Sequence, residues 1–292
     1  VYLRRNPKVA EAIRQAESEL DIEELRSFEE KMYGDIWNKE SYLNWMYENL
    51  MAIKSVMSNT ASIYVHLDWH IGHYVKILMD EVFGENNFLN EIIWCYNGPG
   101  SPGMKQFNRK HDTIFWYCKD INDYTFNDNS VRIAHNAKTL ENFKRGLVGS
   151  GFVSDTYDLN NSGKIPEDWW QFAVASRYPV DGVRRVEYAT EKPYPLIERI
   201  ILASSNPNDI VADFFGGSGV LATMAHLNKR KFIHTDININ SIQTTRDRLL
   251  AAKAEFDVME IKDGVSLYRN PVQTMERLKK LIPGLRNEDA LD

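Results

Sequence analysis

Cysteine is scarce: Cys95 and Cys118 are the only two in 292 residues, each inside an apolar, strand-like run. That excludes a disulfide scaffold and fits a chain made for a reducing compartment. No apolar stretch approaches the roughly 18–20 residues a bilayer span needs, and no basic-then-apolar leader opens the chain. The sequence therefore reads as cytoplasmic, neither membrane-bound nor exported. Positive charge is not in excess either, since 35 Lys and Arg face 41 Asp and Glu for a net charge of −6. Nucleic-acid binding must then come from a local basic surface, because the global field weakly repels phosphate. What is present is 43% hydrophobic and 26% charged residues, the balance of a packed protein with room for one large α/β domain or two small ones.

Apolar positions Val9, Ile13, Ala16 and Leu20 step by three and four, and Leu25 and Phe28 follow, which predicts a charged helical arm over residues 1–32. Tyr42, Met46, Leu50, Ile53 and Met57 predict a second helix, and Ala61 to Leu67 alternates as a strand. A helix over Ile71 to Phe83, stopped by Gly84, precedes a strand at Glu91 to Tyr96. Between Asn97 and Ala189 the character changes: Gly98, Pro99, Gly100, Pro102 and Gly103 crowd together, and short strand-like runs such as Thr113 to Cys118 sit between polar loops. This stretch reads as an irregular, exposed insertion over 97–189.

After Pro193 and Pro195 an α/β rhythm resumes. It predicts a helix to Ser205, a buried strand at Asp209 to Phe214, a helix at Ser218 to Asn228, a strand at Lys231 to Asp236 and a helix at Ile239 to Lys253. Such alternation means a doubly wound, parallel α/β sheet. Val258 to Ile261 and Val265 to Tyr268 flank Lys262, Asp263 and Gly264 as a hairpin signal, ahead of a short basic helix at Met275 to Leu281.

The most informative segment is Ile210-Val-Ala-Asp-Phe-Phe-Gly-Gly-Ser-Gly219, a strand running into a glycine turn that opens a helix. Such a turn admits a ligand close to the backbone, and the helix start offers free N–H groups. Asp236 follows Gly217 by 19 residues at the end of the next strand, where a carboxylate accepts bonds from ribose hydroxyls. Loop and acid together point to an adenosine-containing cofactor. Spacing alone, Gly217-x-Gly219-x-x-Ala222, leaves NAD and S-adenosylmethionine both open. Phe215 has no place in a pyrophosphate cradle, yet suits a cofactor without phosphate.

Asp213-Phe-Phe-Gly-Gly-Ser-Gly219 resembles the Asp-Pro-Phe-x-Gly-Ser-Gly loop of the DNA amino-methyltransferases, with Phe214 in place of the usual proline. These are the N6-adenine and N4-cytosine enzymes of bacterial restriction-modification systems, here in the permuted, beta-type order in which the cofactor half follows the catalytic half. Thr190-Glu-Lys-Pro193, followed by Leu196-Ile-Glu-Arg-Ile200, is similar to the family's Thr-Gln-Lys-Pro helix. Tyr33-Gly-Asp-Ile-Trp37, Ser62-Ile-Tyr-Val-His-Leu-Asp-Trp-His70, Asn90-Glu-Ile-Ile-Trp94 and His111-Asp-Thr-Ile114 extend the likeness in the family's order.

The resemblance implies a Rossmann-like, S-adenosylmethionine-dependent methyltransferase fold with an inserted target-recognition region. It implies methyl transfer to the exocyclic amine of adenine (N6) or cytosine (N4) in double-stranded DNA. Its parts are a catalytic-half portion at 1–96, recognition at 97–189, a cofactor half at 190–256 and a C-terminal hairpin and helix at 257–292. Thr190, Lys192, Asp213, Phe215, Gly217, Ser218, Gly219 and Asp236 are the cofactor candidates. Lys105, Arg109, Lys110 and His111 are the DNA candidates, since the window Asn97 to Arg145 holds eight Lys and Arg against five Asp and Glu. A paired restriction endonuclease subunit and a homodimer stay open.

The family grips its base with an Asp/Asn/Ser-Pro-Pro-Tyr/Phe tetrapeptide, and no Pro-Pro occurs in this sequence. The first residue is Val1 rather than Met, so the sequence reads as a chain truncated at its N-terminus and inactive alone. A catalytically inactive DNA-binding or assembly subunit and an NAD-dependent oxidoreductase are the competing readings. His66, Asp68, His70 and His73 read as a hydrogen-bonded strand-to-helix corner in preference to a metal site, since no Cys pair completes one. Trp169 and Trp170 suit either stacking on a displaced base or anchoring the insertion.

Overall fold

A computed structural model describes residues 39–98, 105–144, 159–174 and 191–261. Thr190, the helical arm, the C-terminal helix and the second half of the expected hairpin lie outside these residues. The chain divides into two compact units at Arg248/Leu249.

The first unit opens with helix α1 (Lys39–Val56), strand β1 (Ser62–Leu67) and helix α2 (Gly72–Phe83), which Gly84 ends at φ 91°. Strands β2 (Phe88–Cys95) and β3 (His111–Cys118) follow. Short helices α3 (Asp128–Val131) and α4 (Ala137–Lys144) and the short strand β4 (Trp169–Gln171) come next. Helix α5 (Tyr194–Ser204), β5 (Ile210–Asp213), α6 (Val220–Leu227), β6 (Lys231–His234) and α7 (Ile239–Ala251) complete the α/β rhythm. The second unit begins within α7, whose last turn closes with the Ala254 N–H on the Leu249 carbonyl at 2.9 Å. Val258 to Ile261, the first half of the expected hairpin, carries no strand.

The strands form two sheets, β1-β3-β2-β4 and β5-β6. The pair β5-β6 is parallel as expected, and β2 also pairs parallel with β4, but β3 runs antiparallel to both β1 and β2, so the larger sheet is mixed. The strand-like run at Thr113 to Cys118 is a strand, β3, but it does not lie in an exposed insertion: it is flanked by β1 and β2 and buried from Ile114 through Cys118. Its alternation explains this position. Phe115 and Tyr117 enter a core with Met46 and Leu50 of α1 and Val75, Met79, Val82 and Phe83 of α2. Ile114 and Trp116 face the opposite side, with Ile92, Trp94, Trp170 and Leu196. A strand covered on both faces needs an unbroken apolar run, and this one has it from Ile114 to Cys118.

Strand β5 departs from expectation in the other direction. Ile210 and Ala212 are exposed, and only Val211 packs with α5 and α6. A strand is buried on both faces only where both carry packed layers, and among the described residues β5 has one.

Helix α5 ties the two sheets together. Leu196 and Ile200 pack on the larger sheet, while Ile197 and Ile201 join Val220, Met224 and Ala225 of α6 and Phe232 of β6. Its C-terminal carbonyls, which have no partner within the helix, are taken from outside it. Asn127 Nδ2 donates to the Leu202 carbonyl (3.1 Å) and the Ser205 carbonyl (2.8 Å), and Arg230 donates to the Ser205 carbonyl at 2.6 Å.

Candidate cofactor site and nucleic-acid surface

The glycine turn after β5 is held from several sides. Gly217 and Gly219 adopt φ of 53° and 74°, values that disfavour a side chain. A Cβ on Gly219 would lie 2.3 Å from Thr245 Oγ1, and one on Gly216 would lie 2.0 Å from the His234 ring. The Gly216 N–H donates to the Thr235 carbonyl (3.0 Å), and Ser241 Oγ donates to the Gly217 carbonyl (2.5 Å). Asp236 sits two residues past the end of β6. One of its oxygens accepts the Gly217 N–H at 2.8 Å and the other accepts the Asn238 N–H at 2.8 Å. An ionised carboxylate offers about four acceptor positions, so these two bonds leave Asp236 able to take ribose hydroxyls.

Asp213, at the end of β5, accepts the Phe215 N–H at 3.2 Å. Burial raises its pKa, opposed by that N–H and by the charges of His234 and Lys192. The Lys192 pKa is lowered, because burial outweighs the opposing negative charges of Asp112 and Asp213. Its ammonium lies 5.9 Å from the centre of the Trp94 ring. Asp112 in turn lies 3.1 Å from His66 Nε2 and accepts the Tyr96 hydroxyl at 3.2 Å. Phe215 is half-exposed and meets Trp45 of α1 edge-on at 5.6 Å. Ser218 is buried.

Lys192, Asp213, Phe215, Gly217, Ser218, Gly219 and Asp236 thus gather where β5, β6 and α5 meet. Sequence reasoning missed Trp45, His234, Ser241 and Thr245. For Trp45 a signal existed, because it follows Tyr42 by three residues in α1 and packs against that ring at 5.7 Å. The other three support the loop from β6 and α7, and nothing in their local sequence marks that role.

The basic cluster sits at the stem of the β2–β3 connection. The Tyr96 N–H donates to the Lys110 carbonyl at 3.0 Å, which extends the ladder one step beyond β2. Lys105, Arg109 and His111 are exposed and Lys110 is half-buried. The Arg109 guanidinium stacks on Trp69 at 3.9 Å, and Trp69 on His70 at 3.7 Å between ring centres. His66 and His70 do not converge: His66 pairs with Asp112, while Asp68 accepts the His70 N–H (3.0 Å) and contacts its Nδ1 (2.8 Å). That is the hydrogen-bonded corner expected from the sequence. Trp170 is buried against Phe172 and Arg199, while Trp169 beside it is exposed.

A family model described as DNA methylase, for the N6/N4 methyltransferases, matches residues 14–247. The chain belongs to this family. Membership bears out the enzyme class expected from the motifs, with S-adenosylmethionine as methyl donor and double-stranded DNA as substrate. The chain is similar to the DNA adenine methyltransferase YhdJ of Escherichia coli, 29% identical over 215 residues that cover 74% of this chain and 69% of that protein. It is also similar to the type II methyltransferase M.HpaI of Haemophilus parainfluenzae, 29% identical over 234 residues that cover 79% of this chain and 67% of that protein. Among solved structures, the cytosine-N4-specific PvuII DNA methyltransferase matches with a TM-score of 0.53 at 15% identity, over 81% of this chain and 78% of that one. This likeness supports the α/β methyltransferase fold. No described helix is long and apolar enough to cross a membrane.

Proposed function

We propose that this chain carries the cofactor-binding and DNA-contacting parts of a DNA amino-methyltransferase acting on adenine N6 or cytosine N4. The observation that carries the reading is the Asp236 carboxylate bonded to the Gly217 N–H, with acceptor capacity left for a ribose. In this reading Asp236 holds the ribose hydroxyls, Gly217 and Gly219 leave room beside the backbone, and Ser218 fills the loop behind them. Phe215 packs on the apolar part of the cofactor. Lys192, with Thr190 two residues before it, and Asp213 bind the charged amino-acid end. When bound, S-adenosylmethionine supplies an activated methyl on a sulfonium. The displacement needs no cysteine nucleophile, so the residues here contribute position and electrostatics.

Lys105, Arg109, Lys110 and His111 face the phosphates, and the recognition role falls to 97–189 outside β3. We extend the reading to a cytoplasmic protein with a restriction endonuclease subunit and a second copy of the chain as candidate partners. Co-expression pull-down and light scattering test those two.

Calorimetric titration with S-adenosylhomocysteine and with NAD tests the cofactor half: binding of the first and not the second is expected. For the DNA half, replacing Lys105, Arg109 and Lys110 with alanine should flatten the salt dependence of affinity by roughly two to three units of slope, at about 0.9 per phosphate contact. An unchanged slope places the cluster on an ordinary solvated face.

A second reading, a DNA-binding subunit without catalysis, is favoured by the absence of any Pro-Pro from the 292 residues. That tetrapeptide is the family's means of aligning the amine with the methyl group, and loss of such alignment costs several powers of ten in rate. The chain by itself is therefore expected to bind cofactor yet transfer no labelled methyl to DNA. Transfer at an ordinary rate would mean that another element grips the base.

A further inference from the structure

Phe107 stands out on the basic surface. It is 98% exposed, the most exposed large hydrophobic side chain among the described residues. A lone exposed apolar residue is ordinary on a protein surface, but this one has a specific setting. Lys105, Arg109 and Lys110 flank it along the chain, so residues suited to phosphates lie on either side of it in sequence. Two residues away, Arg109 is stacked 3.9 Å above Trp69, which is itself stacked on His70, and the Asp68 carboxylate holds His70 at both its backbone and ring nitrogens. One residue further, the Lys110 carbonyl is fixed by the Tyr96 N–H. The stem that carries Phe107 is thus anchored to the sheet, while the ring itself is left exposed among the described residues.

We propose that Phe107 is a wedge that enters the base stack of duplex DNA and occupies the space vacated by the displaced nucleotide. An enzyme working on an exocyclic amine must take the base out of the helix, and the vacated step collapses unless something fills it. Apolar side chains perform this task in proteins that kink or open DNA, at the cost of partial unstacking. A ring held on a fixed stem loses little further freedom on insertion, and cations beside it bring the backbone within reach. The proposal rests on the reading of Lys105, Arg109 and Lys110 as a DNA surface, and its test separates the two.

The test compares the protein's affinity, by fluorescence anisotropy, for an end-labelled duplex and for the same duplex with one central abasic site. The gap is already open in the second probe, so a wedge enters it without unstacking. The wild-type protein should prefer the abasic duplex on the order of tenfold. Phe107→Ala should remove that preference while leaving affinity for the intact duplex, its salt slope and the thermal melting of the protein nearly unchanged. Phe107→Trp should restore it. Equal preference in wild type and Phe107→Ala, or none in a wild type that binds intact duplex with the expected salt slope, overturns the wedge and leaves the DNA surface standing. No binding to either duplex overturns the surface, and the wedge with it.

Discussion

Asp236 and Gly217, 19 residues apart, are joined by a 2.8 Å hydrogen bond in which the carboxylate holds the backbone of the glycine turn. The residue best suited to bind a ribose is therefore also a brace of the loop that faces it. Asp236→Ala should weaken S-adenosylhomocysteine binding by about 1.5–3 kcal/mol, through loss of charge-assisted bonds. Asp236→Asn keeps one carbonyl acceptor and should lose less. Calorimetry giving the same affinity for wild type and Asp236→Ala would reduce the residue to a brace alone.

Gly219 caps α6 at φ 74° with Thr245 against its Cα. Gly219→Ala should destabilise the fold by about 2–4 kcal/mol, combining a left-handed backbone with overpacking. Adding Thr245→Ala removes the contacts of Oγ1 and Cγ2 but neither the backbone strain nor the Cβ contact, so chemical denaturation should show partial recovery. Full recovery would mean that the steric contact alone excludes a side chain there.

Much of this was legible locally, because periodicity and punctuation are local. The stripe at Tyr42, Met46 and Leu50, the stop at Gly84 and the Pro193-Tyr-Pro195 helix start all appear where the sequence puts them. The place of β3 was not legible. The Gly/Pro-rich stretch before it and the polar loops around it look like a loop decoration, and its centrality comes from pairing Ser62 with Cys118 and Cys95 with His111, which no local pattern encodes. The site divides in the same way. Gly217, Gly219 and Asp236 announce themselves by residue type and spacing, whereas His234 matters only because the turn folds back onto its ring.

That ring also makes the loop sensitive to acid. His234 lies 3.3 Å from Ser241 Oγ and 3.1 Å from Thr245 Oγ1, and its buried Nδ1 has no partner among the described residues. Burial lowers its pKa, against the charges of Asp213 and Asp236, which raise it. A histidine with a lowered folded-state pKa stays neutral while the unfolded chain takes up a proton. Its contribution is present above the ordinary value of about 6.5 and is lost as pH falls below it. Melting temperature should therefore drop on acidification through this range, and His234→Gln should drop less. Parallel melting curves for the two proteins would show that His234 is not the titrating group.

Glu191 and Arg248 form an ion pair sealed from solvent, linking the residue before Lys192 to α7. Arg248 also lies 5.6 Å from the centre of the Tyr194 ring, while its Nε and Nη1 have no partner among the described residues. Removing one member leaves a buried charge uncompensated, so Glu191→Gln or Arg248→Met should each cost about 3–5 kcal/mol. Replacing both, as Glu191→Gln with Arg248→Met, removes the stranded charge, and the double variant should be more stable than the Glu191→Gln single. The pair also ties down the residue that precedes Lys192, so the double variant should regain stability without regaining full affinity for S-adenosylhomocysteine. A double variant that binds cofactor as wild type does would show that Lys192 is positioned by α5 alone.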